Sequence, residues 1–269
     1  MTGTVTRLSI YPVKSLGGFD VASWEVDAFG PRLDRRWMVL DAEGDFLTQR
    51  WRPRMALVRA SLGEDGTVRL AAPGMRPVAA PQGGGPGRTA RVWNDAAEAE
   101  GCGPDADRWL SEFLGEPCSL VFMPERTVRR IALRREEALG RVSFADAYPF
   151  LLFSEASLAD LNARLAEPLP HDRFRPNIMV DGVAPFAEDA WDRIVIGDLP
   201  LVATKRCVRC VLTTIDQDTA AIGKEPLRTL ATYRRADGGV VFGVNLAHQG
   251  TGRLAVGDAV RATPHGMPA

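Results

Sequence analysis

The sequence has no excess of charge of either sign: 33 Lys and Arg stand against 34 Asp and Glu, a formal net charge of −1 at pH 7. A chain without a global positive field is poorly suited to nucleic acid or to an anionic membrane, so neither is expected as a partner. Long apolar runs are missing too. The longest, Tyr148 to Phe153, is about six residues, far short of the roughly 20 that a helix needs to cross a bilayer. The N-terminus, Met1-Thr2-Gly3-Thr4-Val5-Thr6-Arg7, has no basic stretch leading into an apolar one, so no secretory signal is read and a cytoplasmic location is expected. Cysteine is scarce. Four in 269 residues do not make a disulfide scaffold, and in a reducing compartment a close pair reads as metal-binding or reactive. Lysine is scarcer still, with only Lys14, Lys205 and Lys224 beside 30 Arg. Where a chain otherwise writes Arg, a retained Lys hints at a need for a compact, strongly hydrated ammonium. Lys14 lies in a turn-like segment and Lys205 beside the close cysteine pair.

What is present is an ordinary globular composition, 45% hydrophobic and 25% charged, long enough for one large or two medium domains. Many short β-patterned runs are separated by turn residues, which suits barrels or sandwiches better than a doubly wound sheet. Hairpins are expected around Ala42-Glu43-Gly44, Gly63-Glu64-Asp65-Gly66, Gly197-Asp198-Leu199-Pro200 and Ala236-Asp237-Gly238-Gly239, where Gly supplies the positive φ that tight turns need. A last strand is expected to contain Leu254, Val256 and Val260. Helices are few. One runs from Pro104 to Leu114, with Pro in the first turn and Gly115 just past the end. A second starts at Ser154 as N-cap, with Phe153 and Leu158 spaced as a hydrophobic staple. A third, short one begins near Pro226. Pro81-Gln82-Gly83-Gly84-Gly85-Pro86-Gly87 reads as an exposed hairpin tip; it lacks the Gly-Lys-Ser/Thr ending of a phosphate loop. The Arg-rich segment Glu125 to Glu137 separates two strand-rich halves.

Three places carry candidate chemistry. Cys207-Val208-Arg209-Cys210 is followed by a β-branched run, Val211 to Asp216, that reads as strand. A thioredoxin-like dithiol would need a helix start after its first Cys. A zinc site would need two more well-spaced ligands, whereas Cys102 and Cys118 are 16 apart and His171, His248 and His265 are scattered. An iron–sulfur centre would need all four Cys at ferredoxin-like spacing. What remains is a soft sulfur ligand among Lys205, Arg206 and Arg209, suited to a soft or high-valent metal, or else two inert core cysteines. Tyr11-Pro12-Val13-Lys14-Ser15-Leu16-Gly17-Gly18 leaves a strand into a turn with one ammonium and one hydroxyl. Arg173-Phe174-Arg175-Pro176-Asn177 sets guanidinium and carboxamide groups at a Pro-fixed bend, able to fork onto phosphate or a heteroaromatic edge. Of Arg35 and Arg36, at least one faces inward by the period of two and needs an anionic partner.

Taken in order, Ile10-Tyr11-Pro12-Val13-Lys14-Ser15, Asp34-Arg35-Arg36-Trp37, Ser154-Glu155-Ala156-Ser157-Leu158, Phe174-Arg175-Pro176-Asn177-Ile178, Cys207 to Asp216, Lys224-Glu225-Pro226-Leu227 and Val256-Gly257-Asp258 resemble the MOSC family of molybdenum-cofactor proteins, in particular the mitochondrial amidoxime-reducing components and their bacterial relatives. The resemblance implies a mainly β fold with a few helices: an N-terminal MOSC-type β-barrel domain over residues 1–122 packed on a C-terminal MOSC β-barrel over 128–262, with the molybdenum cofactor between them. It implies Cys210 as the molybdenum ligand and Asp146 as an acidic residue beside the metal. Lys14, Ser15 and Arg35 would hold the cofactor's phosphate end, and Arg175, Asn177 and Arg209 its pterin. Cys207 matches a cysteine that is not the ligand and is expected to pack. The implied activity is two-electron reduction of N-hydroxylated small molecules, N–OH to N–H, and of related N- or S-oxides. With about a dozen residues after Gly257, electrons are expected from a separate flavin or iron–sulfur carrier protein. The alternative is a protein that carries molybdenum cofactor or persulfide sulfur without turnover. Tyr148 stands where the resemblance has a small residue and is expected to narrow the pocket.

Overall fold

The computed structural model describes residues 1–130 and 140–265. In chain order its strands are β1 (Thr2–Ile10), β2 (Phe19–Val21), β3 (Ser23–Asp27), β4 (Gly30–Pro31), β5 (Trp37–Asp41), β6 (Arg59–Leu62), β7 (Val68–Ala71), β8 (Val78–Ala80), β9 (Gly87–Val92), β10 (Asp95–Gly101), β11 (Cys118–Phe122), β12 (Phe150–Ser154), β13 (Ile178–Asp181), β14 (Trp191–Ile196), β15 (Leu199–Val208), β16 (Arg235–Ala236), β17 (Gly239–His248), β18 (Gly252–Ala255) and β19 (Ala259–Pro264). The helices are α1 (Pro104–Leu114), α2 (Glu155–Asn162) and α3 (Leu227–Leu230). None is long and apolar enough to cross a membrane among the described residues.

Seven strands close into a barrel in the order β12-β13-β1-β19-β14-β15-β17, with β17 returning to β12. Alternate side chains from these strands fill it, among them Val5, Leu8, Phe150, Leu152, Ile194 and Leu246. Closure depends on Gly243, whose φ is +78° and where a Cβ would stand 2.8 Å from the Leu152 carbonyl oxygen, so only glycine lets β17 approach β12 this closely. The pair β12–β13 is parallel and needs a crossover, which α2 supplies. Ser154 starts that helix as read from the sequence, its Oγ accepting from the Ser157 N–H at 3.1 Å.

The other unit consists of two small sheets, β5-β11-β10-β9 and β6-β7-β8. They share a core of Trp37, Val39, Leu70, Leu110, Phe113 and Leu120, with α1 laid across it. That helix has the bounds expected of it, Pro104 to Leu114, and stops at Gly115 in the left-handed conformation. The two units do not follow chain order. β1 sits between β13 and β19, β2 pairs with β1, and β3 pairs with β18. A split at 122–128 therefore divides the sequence rather than the space it fills.

Three local expectations are corrected. Val211 to Asp216 is not a strand. The ladder of β15 with β17 ends at Val208 opposite Val241, and Val211–Thr214 winds into a 3-10 turn. Thr213 and Thr214 donate their hydroxyls to the carbonyls of Cys210 and Val211 at 3.0 and 2.8 Å, a local bonding that overrides β-propensity. Pro81 to Gly87 is a loop but joins two different sheets, tied down by Trp37 Nε1 on the Pro81 carbonyl and by the Gly84 N–H on Glu100. The final β segment is two strands, β18 and β19, broken at Gly257, whose φ is +96°. The Arg-rich segment Glu125 to Glu137 lies partly outside the described residues.

Because β1 is an inner barrel strand, residues 123–269 expressed alone lack one of seven staves and should show no cooperative unfolding transition by circular dichroism. A cooperative transition in that fragment contradicts this account of the fold.

Candidate active site

The site lies where the turn after β1, the loop before β5, the loop leading into β12, the 171–177 loop and the end of β15 converge on a cleft of about 250 Å³. All eight side chains singled out from the sequence line it: Lys14, Ser15 and Arg35; Asp146; Arg175, Asn177, Arg209 and Cys210. Three of them sit on left-handed backbone, with φ of 64° at Ser15, 49° at Arg35 and 56° at Arg175. Such conformations cost about 1–3 kcal/mol each in non-glycine residues and persist where surrounding bonds over-determine them. Here the Arg35 N–H donates to the Tyr11 carbonyl at 2.8 Å and Lys14 N–H to that of Trp37 at 2.9 Å. The turn after β1 folds back so tightly that a Cβ on Gly18 would lie 2.3 Å from the Ile10 oxygen.

The floor is a hydrogen-bonded net. Asn177 Oδ1 accepts from Arg35 at 2.9 Å and from the Leu151 N–H at 3.2 Å, while its Nδ2 reaches Asp34 Oδ1 at 3.2 Å. Asp34 in turn accepts from Arg35 at 2.5 Å and from the Tyr11 N–H at 2.8 Å. Arg35 and Arg175 both stack on the Tyr11 ring, 4.7 and 4.2 Å from its centroid. Arg175 donates to the Leu16 carbonyl at 2.6 Å, but its second terminal nitrogen is buried with no partner. Burial, and after it the neighbouring Arg35, pull the Arg175 pKa down to about 10.

Asp146 is the hinge of the charged wall. Its carboxylate receives Lys14 Nζ on one oxygen, Arg50 at 2.8 Å on the other, and Trp93 Nε1 at 3.2 Å. Burial alone would raise its pKa, but Lys14 and Arg50 outweigh that and hold the carboxyl far below its ordinary range. Burial pulls Lys14 down to about 8, with Asp146 opposing. Arg50 was not singled out in the sequence. Burial lowers its pKa, yet Asp146 and then the Cys210 side chain outweigh it and raise the value. Nothing distinguishes this arginine among thirty until the fold sets it against Asp146 and Cys210.

At the sulfur edge Cys210 precedes the 3-10 turn in extended conformation, half-buried. Cys207, expected to pack, also lines the cleft half-buried and accepts from Arg209 at 3.0 Å. Arg209 donates further to the Phe174 carbonyl at 2.7 Å, and its Nε is buried without a partner. Among the described residues no three His, Cys, Asp or Glu side chains gather as a metal-binding group. The arrangement defines a class of protein: a two-unit β fold whose cleft is walled by more cation than its carboxylate can match, with two half-buried cysteines at its edge.

Comparison with known proteins gives that class its name. Residues 2–117 match the MOSC N-terminal beta barrel domain and residues 140–261 the MOSC domain. The chain belongs to the MOSC-domain family. It is 38% identical to mitochondrial amidoxime-reducing component 1 of Mus musculus and 38% identical to that of Homo sapiens, each match covering 96% of this chain and 82% of the relative. It is 32% identical to molybdenum cofactor sulfurase of Danio rerio over 91% of this chain and 32% of that larger protein. The cytoplasmic location expected from the N-terminus is overturned, since the amidoxime-reducing relatives are named mitochondrial. The physical reason is that the residues with which this sequence begins do not choose among internal compartments.

Lys14 is held near 8 in the folded chain and titrates near its ordinary 10.5 when unfolded, so between these values the unfolded state binds more protons and stability from this group rises with pH. Urea unfolding of wild type and Lys14→Met at pH 8 and pH 10 should therefore show the difference shifting toward wild type, by up to about 1.4 kcal/mol per pH unit. A pH-independent difference contradicts the buried ammonium.

Proposed function

We propose that the cleft holds the molybdenum cofactor and that the protein reduces N-hydroxylated compounds. The observation that carries this reading is the imbalance of the inner wall: Lys14, Arg35, Arg50, Arg175 and Arg209 face the cleft against the single lining carboxylate of Asp146. Two buried guanidinium nitrogens, on Arg175 and Arg209, lack any partner. Unpartnered buried donors are costly, and an anionic, acceptor-rich ligand such as a pterin with a phosphate arm supplies what they lack. A cysteine sulfur at the edge suits molybdenum as a soft ligand. The residues fit the group.

In this reading Cys210 ligates the metal. Lys14, Ser15 and Arg35 hold the phosphate end, and Arg175, Asn177 and Arg209 the pterin edge. With a pKa of about 8, Lys14 is mostly charged at neutral pH and available to an anion. When bound, the cofactor supplies the two-electron couple that removes oxygen from N–OH. The balance is one N–OH compound, two electrons and two protons in, and one N–H compound and one water out. Asp146 is not the proton donor, because its carboxyl is held ionised and its oxygens are occupied by Lys14, Arg50 and Trp93. Its work is to fix Lys14 and to hold Arg50 beside Cys210. Electrons come from a separate carrier with a flavin or iron–sulfur centre. The amidoxime-reducing relatives lend the substrate class, N-hydroxylated small molecules.

The test is reduction of benzamidoxime to benzamidine by the cofactor-loaded chain with a reduced dye as donor. Wild type should turn over, Cys210→Ala should lose at least about 100-fold, and Asp146→Asn should lose rate without losing a limb of the pH profile. A cofactor-loaded wild type without turnover contradicts the reductase reading and favours a carrier. A cyanolysable persulfide on Cys210 would identify that carrier as one of sulfur.

A further inference from the structure

Lys205 differs from every other cation of the cleft. Lys14 and Arg50 are paired with Asp146, Arg35 with Asp34, and Arg175 and Arg209 donate to backbone carbonyls. The Lys205 ammonium has no hydrogen bond or ion pair to any described residue; its one contact is the ring of Tyr148, 5.5 Å from Nζ to centroid. The contrast with its neighbour is direct. Arg206, on the opposite face of β15, is clamped by two bonds of 2.9 and 2.8 Å to Asp237.

The strand geometry aims Lys205 into the mouth. The pairing of β15 with β17 is irregular between Ala203 and Lys205, where Thr204 Oγ1 donates to the Asn245 carbonyl at 2.9 Å. Such a bulge re-aims the side chain that follows it. Lys205, Cys207, Asn245 and Tyr148 all line the cleft. Depth separates their roles from those of the floor: Lys14 and Arg175 are 4% and 7% exposed, whereas Lys205 is exposed and Val208 beside it is 45% exposed. Lys205 and Cys210 line the same cleft, five residues apart along the chain and so at most about 17 Å from one another.

We infer that Lys205 and Tyr148 form a substrate subsite that selects N-hydroxylated compounds carrying a carboxylate or similar anion on a planar ring. The inference rests on the reductase reading and names its substrate class more narrowly. The ammonium, held over one face of the half-buried Tyr148 ring, meets the anion, and the rest of the tyrosine side chain borders the substrate's ring. Lys205 is one of three lysines in a chain that writes thirty arginines, and an ammonium is a point charge that meets a carboxylate without requiring the planar fork geometry of a guanidinium.

The experiment compares benzamidoxime with 4-carboxybenzamidoxime on the cofactor-loaded chain, with a reduced dye as donor, for wild type, Lys205→Met and Tyr148→Ser. In parallel, ligand-observed NMR measures binding of benzamidine and 4-amidinobenzoate to the same proteins. Wild type should prefer the carboxylate substrate. Lys205→Met should raise its KM about fivefold, the upper range for a partly exposed ion pair, with kcat and the neutral substrate unchanged. Tyr148→Ser, which removes the ring contact common to both substrates, should raise the KM of both. Equal effects of Lys205→Met on both substrates, a fall in its molybdenum content, or unchanged KM values in Tyr148→Ser would each overturn the subsite. If wild type turns over neither substrate, the reductase reading fails, and the NMR preference for 4-amidinobenzoate, kept in wild type and lost in Lys205→Met, still decides the subsite.

Discussion

The structure turns on positive charge that its own carboxylates do not match. Arg175 is buried against Arg35 on one tyrosine ring, with one guanidinium nitrogen unpartnered. Burying a charge without full compensation costs several kcal/mol, and a fold keeps such an arrangement where a ligand completes it. Asp34 and Asp146 divide the compensation between them. Asp34 ties Arg35 to Tyr11 and Asn177, and Asp146 ties Lys14 to Arg50. What is left over points to an anion.

The topology exists to bring those groups together. β1 is a stave of the barrel, yet the turn that leaves it, Tyr11 to Gly18, reaches the other unit through Lys14 on the Trp37 carbonyl and Gly17 on that of Val58. The 171–177 loop enters β13, which pairs with β1, so Asn177 and Arg175 come beside Arg35 through the barrel ladder. β15 then delivers the cysteine pair to the same opening. The site thus sits on the seam between the barrel and the other unit, where the turn leaving β1 crosses from one to the other.

Elements with local causes were legible in the sequence. Pro104 and Gly115 bound α1, and the Ser154 hydroxyl starts α2, because capping is decided within a few residues. Barrel order was not, since the place of β1 between β13 and β19 depends on pairing across the whole chain. The run after Cys210 misled because β-branched residues favour strands, while the Thr213 and Thr214 hydroxyls found backbone acceptors nearer at hand. In the site, ordered motifs marked eight side chains that the fold brings to one cleft. Arg50 and Trp93 escaped, as their positions depend on contacts with Asp146 that no spacing announces.

The account stands most directly on the metal content of the full chain made in a host that produces molybdenum cofactor, measured by mass spectrometry for wild type and Cys210→Ala. It predicts close to one molybdenum per wild-type chain and a large loss in the variant. Wild type carrying zinc or no metal, or a variant with undiminished molybdenum, would contradict it.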